Sequence, residues 1–297
     1  MQSSTNMNDH ILPKLAELAW GMLISQLKFV PRLNKWPNPL PGSNANEYRV
    51  PKISGGSAKD RLPGAPVIFE DRVAGYTPIT AKQIYDAFVT DESYQSSTGF
   101  AYFESLVESA VKNVVQEVET YAAEQVALQG GIGTVGTLGQ AVTRANLQTA
   151  RLAFVNNKIP TGNLLAFLSG ETMKDIADIN EYTRFDAVGA VPRNALREGV
   201  ADRVSGFELL ESPYVYSPNV GEHTNLLFDP SQIMYIFPAQ APISGDAQKA
   251  EFERDGIRLY LLKEYLAGYN GAYAYTVSVN FGIKAVRPEG VIKLLGK

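Results

Sequence analysis

The residue spacing most suggestive of chemistry is Gly131-Ile132-Gly133-Thr134-Val135-Gly136, a GxGxxG run followed by a helical pattern in Gln140 to Val155. In a dinucleotide site those glycines follow a strand, so that the turn offers backbone amides to pyrophosphate, and an acidic residue stands about twenty positions on. Here a helical stretch precedes the glycines, and Phe154 to Lys158 contains no Asp or Glu. The run therefore reads as a flexible hinge between two domains, with a nucleotide-dependent enzyme as the distant alternative. Asp175, Asp178 and Glu181 recur every three residues and could present a metal face. No histidine lies nearby, and such a run reads as a solvated helix surface. The two histidines are His10, near the start, and His223, in a polar loop. They make no HExxH pair or histidine-rich zinc site and leave little for a serine triad. The absence of cysteine removes thiol catalysis, thiolate zinc sites, iron–sulfur clusters and disulfides. Neither GxSxG nor a Walker loop occurs. Carboxylates are scattered, and a glycosidase-like pair among them stays open. The expectation is a protein that is not an enzyme, with no cofactor and no catalytic, cofactor-binding or metal-binding residue assigned.

Composition sets the frame for these residues. With 297 residues, 45% of them hydrophobic and 20% charged, the chain is long enough for one large core or two small ones. A net charge of -4 argues against a basic coat or a polyanion-binding enzyme, while leaving room for a local patch. No run of eighteen apolar residues occurs, so no membrane partner is expected. The opening MQSSTNMNDH lacks the basic and apolar regions of a signal peptide.

The elements are organised around Gly99 to Gln129, read as one long helix. Phe103, Val107, Val111, Val114, Val118 and Ala122 fall at spacings of three and four on one face. Glu104, Glu108, Lys112, Glu117, Glu119 and Glu124 fall on the other, which is expected to meet water. Ser96, Ser97 and Thr98 are N-cap types, and Gly130-Gly131 stops the helix. About thirty residues make a rod of roughly 45 Å, better suited to a spine than to the middle of a core.

Other pieces lie along that rod. Ile11 to Phe29 has helical spacing through Leu15, Leu18, Ala19, Met22, Leu23 and Leu27, and reads as a helix docked on its own chain or on a sister subunit. From Trp36 to Gly75, six prolines and five glycines break helix and ladder alike. Tyr48-Arg49-Val50 and Val67-Ile68-Phe69 flank Ser54 to Gly64 as short β-like runs, a two-stranded ribbon with a charged tip containing Lys59, Asp60 and Arg61. A two-stranded ribbon is marginal alone, so this one reads as an intersubunit arm. Its candidate contact residues are Lys59, Asp60, Arg61, Val67, Ile68, Phe69, Glu70, Asp71 and Arg72. Ile79 to Tyr94 returns as a strand with Ile84, Phe88 and Val89 inward. From Gln140 a helix, a buried strand at Asn163 to Leu168 and a helix from Glu171 to about Ile179 suggest a small α/β layer. Arg193 to Asp202 reads as a loop; Gly206 to Glu211 and Asn225 to Phe228 read as strands. In Ala272 to Ile283, large residues at odd positions alternate with small or polar ones, the pattern of a long strand with one buried face. Gly256 to Tyr265 pairs with it through a turn at Tyr269-Asn270-Gly271, and Val291 to Leu295 follows as a last strand.

This order of elements resembles the major capsid proteins of tailed double-stranded DNA bacteriophages, the Hong Kong phage-type fold. The matching stretches are GFAYFESLVESAVKNVVQEVETYAAEQVALQ as the spine, VSGFELLESPYV as a strand late in the axial domain, and FGIKAVRPEGVIKL near the end. The resemblance implies an α+β fold with a long spine helix, antiparallel β strands, an α/β axial domain, an extended two-stranded loop and an N-terminal arm. The implied division is an arm at 1–47, the extended loop at 48–76, a peripheral domain at 77–136 and 238–297 with the spine at 99–129, and an axial domain at 137–237. It implies a homo-oligomer of hexamers and pentamers in an icosahedral virion shell, assembled in the host cytoplasm around double-stranded DNA that is not read by sequence. A separate scaffolding protein, a portal and decoration proteins are the implied partners. The alternative within the same fold is an encapsulin-like, cargo-enclosing shell.

Overall fold

The computed structural model describes residues 5–36, 40–41, 46–54, 73–90, 99–179, 203–239, 248–254, 257–266 and 272–297. In chain order the elements begin with α1 (Thr5–Gln26), β1 (Asn34–Lys35), β2 (Leu40–Pro41), β3 (Glu47–Ser54), β4 (Val73–Thr80) and β5 (Lys82–Thr90). Then come α2 (Gly99–Leu128), β6 (Gly133–Gly136), α3 (Arg144–Asn156), β7 (Leu164–Leu168) and α4 (Gly170–Ala177). The strands described after α4 are β8 (Arg203–Val204), β9 (Phe207–Glu211), β10 (Tyr216–Asn219), β11 (Glu222–Phe228), β12 (Ile233–Ile236), β13 (Gln248–Arg254), β14 (Ile257–Leu266), β15 (Ala272–Ala285) and β16 (Val291–Gly296), with short 3-10 turns at Pro230–Gln232 and Pro288–Gly290.

Valine and alanine at helical spacing make α2 the spine the sequence anticipates. Val107, Val111, Val114, Val118 and Ala122 are buried, and Phe103 packs against the same core. Their counterpart is the sheet ordered β1-β12-β15-β14-β13, with β5 also paired to β15. Tyr275, Val277, Val279, Phe281 and Ile283 are buried on β15, as alternation predicts, and the strand runs two residues further, to Ala285. The other face is not uniformly open, because Ser278 and Gly282 are buried too. On β5, Ile84 is buried and Phe88 stacks on Tyr275. Val89 is 57% exposed instead of inward, since strand alternation that points Phe88 at the core must point its neighbour away.

A second sheet is ordered β6-β16-β11-β7-β9-β8, with β10 beside β11. It is mixed: β7 runs parallel to β9 and β6 parallel to β16, while β11 is antiparallel to both β7 and β16. Helix α3 starts at Thr143, whose side chain accepts from the Asn146 amide, and α4 starts at Ser169, which does the same for Thr172. Leu147, Ala150 and Phe154 of α3 close a core with Leu164, Ala166, Leu168 and Leu227. The last strand, β16, does not join the long strands beside α2 but belongs to this second sheet.

Three other sequence expectations change here. Gly133–Gly136 is a strand in register with Ile292 to Leu295, not a free hinge. Asp175 is buried instead of solvated, because its carboxylate accepts the Val142 amide at 3.0 Å. His223 stands on β11 opposite Gly296 instead of in a loop.

Candidate assembly surface

The ribbon is the feature through which the sequence reading expects contact with other copies. Its described part is β3 paired antiparallel to β4, from Glu47 opposite Thr80 to Ser54 opposite Val73, with β2 along the outer edge of β3. The return strand is therefore Val73–Thr80. The candidate contact residues Lys59, Asp60, Arg61, Val67, Ile68, Phe69, Glu70, Asp71 and Arg72 lie outside the described residues. So do the helix-cap candidates Ser96, Ser97 and Thr98, residue Glu181 and the Arg193 to Asp202 loop.

Apolar packing fixes the root of the ribbon. Val50, Ile79 and Ala81 form a small core with Ile236 and Val286, against which Trp36, Tyr48 and Met234 also pack. The Lys284 ammonium donates to the Pro78 carbonyl at 2.9 Å. Gly282 permits this approach: a Cβ there would stand 2.9 Å from the Thr80 carbonyl oxygen and 3.0 Å from Ile79 Cγ2. Arg49 lies over the Tyr76 ring at 4.3 Å, a cation–π contact that stiffens the pair further out. Tyr76 on the ribbon and Tyr85 and Val89 on β5 are each more than half exposed. A cleft of about 350 Å³ separates the ribbon root from the end of the spine, lined by Pro78, Thr80, Gln125, Leu128, Gln129, Ile283 and Lys284.

The N-terminal helix is docked on its own chain. Leu15, Ala16, Ala19 and Leu23 are buried, the Trp20 indole donates to the Ile257 carbonyl at 3.3 Å, and its ring meets Phe252 at 5.5 Å. Where α1 ends, Glu119 corrects the expectation of a wet outer helix face. It is fully buried, and its carboxylate accepts the backbone amides of Lys28 and Phe29 at 3.0 Å and Val30 at 3.3 Å. Burial pushes its carboxyl above the ordinary range, while those three amides and the Lys28 charge pull the other way. Gln129, just past α2, is a second link that sequence reasoning missed. Its side-chain amide donates to the Ala285 carbonyl at 2.8 Å and accepts the Ala285 amide at 2.9 Å, as a strand residue would.

No protein-family model and no curated protein matches the chain. Solved structures do match. That of Mycobacterium phage Che8 superposes with a TM-score of 0.63 at 14% identity, over 91% of each chain. The mature capsid of bacteriophage PhiM1 does so with a TM-score of 0.55 at 13% identity, over 85% of this chain and 83% of that one. The chain has the phage-capsid fold. A virus-like particle from Pyrococcus furiosus shares that capsid fold with a TM-score of 0.54 at 13% identity, over 96% of this chain and 99% of the other. Within the capsid fold, the ribbon root and the end of the spine face each other across the cleft, while the N-terminal helix lies separately on β13 and β14.

Proposed function

We propose that the chain is a major capsid protein that self-assembles as hexamers and pentamers into the icosahedral head enclosing the double-stranded DNA of a tailed phage. The observation that carries this reading is the fold likeness to phage capsid structures over nearly the whole chain. It is supported by a ribbon whose root is fixed while its length gives it reach, and by a net charge of -4, since a strongly basic lining would hold packaged DNA too tightly. In this reading 1–47 is the arm, 48–76 the extended loop, 77–136 with 238–297 the peripheral domain and 137–237 the axial domain. The last strand, though assigned to the peripheral part, pairs into the second sheet and ties the two together.

Contacts between copies are many and weak. Val67, Ile68 and Phe69, laid on a neighbouring subunit, contribute on the order of 1.5–3 kcal/mol each when fully buried. Lys59, Asp60, Arg61, Glu70, Asp71 and Arg72 set the register with smaller individual energies. A separate scaffolding protein, a portal and decoration proteins complete a virion assembled in the host cytoplasm.

The second reading, a cargo-enclosing shell of encapsulin type, is favoured by the likeness to the Pyrococcus furiosus particle. Electron microscopy of native particles separates the two: a tail vertex and packed DNA are expected here, and tailless shells around protein would support the alternative.

A further inference from the structure

Among the described residues β5 has one strand partner, β15, which runs antiparallel to it from Lys82 opposite Phe281 to Thr90 opposite Tyr273. Its other side is an edge of nine residues. Such an edge is a row of backbone donors and acceptors that another chain can extend, and proteins ordinarily blunt it with charges or proline. KQIYDAFVT contains no proline. Its two charges are turned toward α2: the Lys82 ammonium lies 3.2 Å from Glu117 Oε1 and over the Tyr121 ring, and Asp86 accepts from the Asn113 side-chain amide at 2.7 Å. The odd positions form the outward row, because successive strand residues alternate both in face and in the direction of their backbone groups. The Ala87 amide donates to Asp86 Oδ1 at 2.9 Å and so points away from β15; Gln83, Tyr85 and Val89 share its parity. All four side chains are exposed, Tyr85 to 65% and Val89 to 57%, and none of them is charged.

We propose that β5 is a two-fold contact between copies of this chain: the strand pairs antiparallel with the same strand of a second copy, joining two sheets edge to edge. Self-complementarity selects a second copy as the occupant. With Ala87 opposite Ala87 of the second copy, Tyr85 of each chain faces Val89 of the other, an aromatic and β-branched pair that the symmetry makes twice. Ala87 residues so opposed exchange both backbone hydrogen bonds, the amide leaving Asp86 Oδ1 for the opposing carbonyl. No like charges meet along the row, since Lys82 and Asp86 are held on the α2 side. Main-chain bonds supply the affinity and the alternate side chains the register, as when any extended segment adds to a sheet edge. A two-fold contact closes on itself, whereas a ring is built head to tail, so this edge joins rings instead of forming them. The inference goes beyond the shell reading and does not rest on it.

The full chain contains no cysteine, so a single introduced one reports only contacts between copies. Residues opposed as the two Ala87 are stand about 5.5 Å apart at Cα, inside the span a disulfide accepts. Ala87→Cys is therefore expected to give a covalent dimer under mild oxidation, well ahead of Val220→Cys, which is fully exposed between β10 and β11 and measures chance collision. Tyr85→Lys combined with Val89→Lys sets like charges opposite each other twice, and is expected to weaken dimer formation in sedimentation by about tenfold. Mixing that chain with one carrying Tyr85→Glu and Val89→Glu is expected to restore pairing, which a folding defect would not allow. The proposal is overturned if Ala87→Cys cross-links no faster than Val220→Cys, if the lysine chain associates as tightly as the parent, or if the mixture pairs no better than its components. Should the lysine chain fail to fold, the cysteine comparison decides alone. Closed shells that form without the Ala87→Cys cross-link overturn this contact and leave the shell reading standing. Cross-linked dimers that never yield shells uphold the contact and count against that reading.

Discussion

Gly136 and Gly133 sit three residues apart in one motif, yet only one of them is held by geometry. Gly136 has φ +89° beside β16, where a Cβ would collide with the Leu295 carbonyl oxygen. At Gly133 a Cβ would meet nothing closer than Ile292 Cγ1 at 4.0 Å. Gly136→Ala is accordingly expected to cost about 1–3 kcal/mol in denaturant unfolding, and Gly133→Ala to fall within about 0.5 kcal/mol of the parent. Equal losses at the two positions would contradict this steric distinction. Glu119 shows what a sequence hides at this scale. Helical spacing places it among the water-facing acids, and its partners are main-chain amides about ninety residues away, which carry no side-chain signature. Asp175 was illegible for the same reason, its partner being the Val142 amide.

At the scale of elements, periodicity was a good guide wherever one face is buried. The valines of α2 and the odd positions of β15 name both sides of the main core, because spacings of 3.6 and 2 encode which residues share a face. Phe281→Ala therefore tests that core directly. The ring is fully buried among Tyr121, Tyr235 and Phe237, and its loss is expected to cost about 3–5 kcal/mol, read as a drop in denaturation midpoint without a change in slope. Pairing between elements was far less legible. Nothing local in Val291 to Gly296 says that the strand lies between β6 and β11 and not beside β15, since pairing partners are set by the whole chain. The Gln129 link belongs to the same class: the amide completes a ladder with Ala285, and the Lys293 ammonium donates to the Gln129 carbonyl at 3.0 Å. Gln129→Ala should cost about 1–3 kcal/mol in the same unfolding assay, since the buried Ala285 loses partners for both its amide and its carbonyl.

The molecule as a whole was recognisable from the order of its parts, although no single stretch carried the resemblance alone. A proline- and glycine-rich excursion, a helix of thirty residues and long closing strands resemble one architecture when taken in sequence, and the capsid fold matches it. As a proposed shell protein, the subunit is expected to complete its contacts only among copies of itself. Deleting Ser54 to Gly64 should then leave thermal unfolding and circular dichroism close to those of the intact chain while abolishing closed shells, because the ribbon root at Val50 and Ile79 is retained. The most direct measurement is cryo-electron microscopy of the purified intact chain at high concentration. Closed icosahedral shells, with the ribbon of each subunit lying across a neighbour, are the predicted result. A monodisperse monomer at every concentration, its ribbon folded onto its own body, would contradict the account.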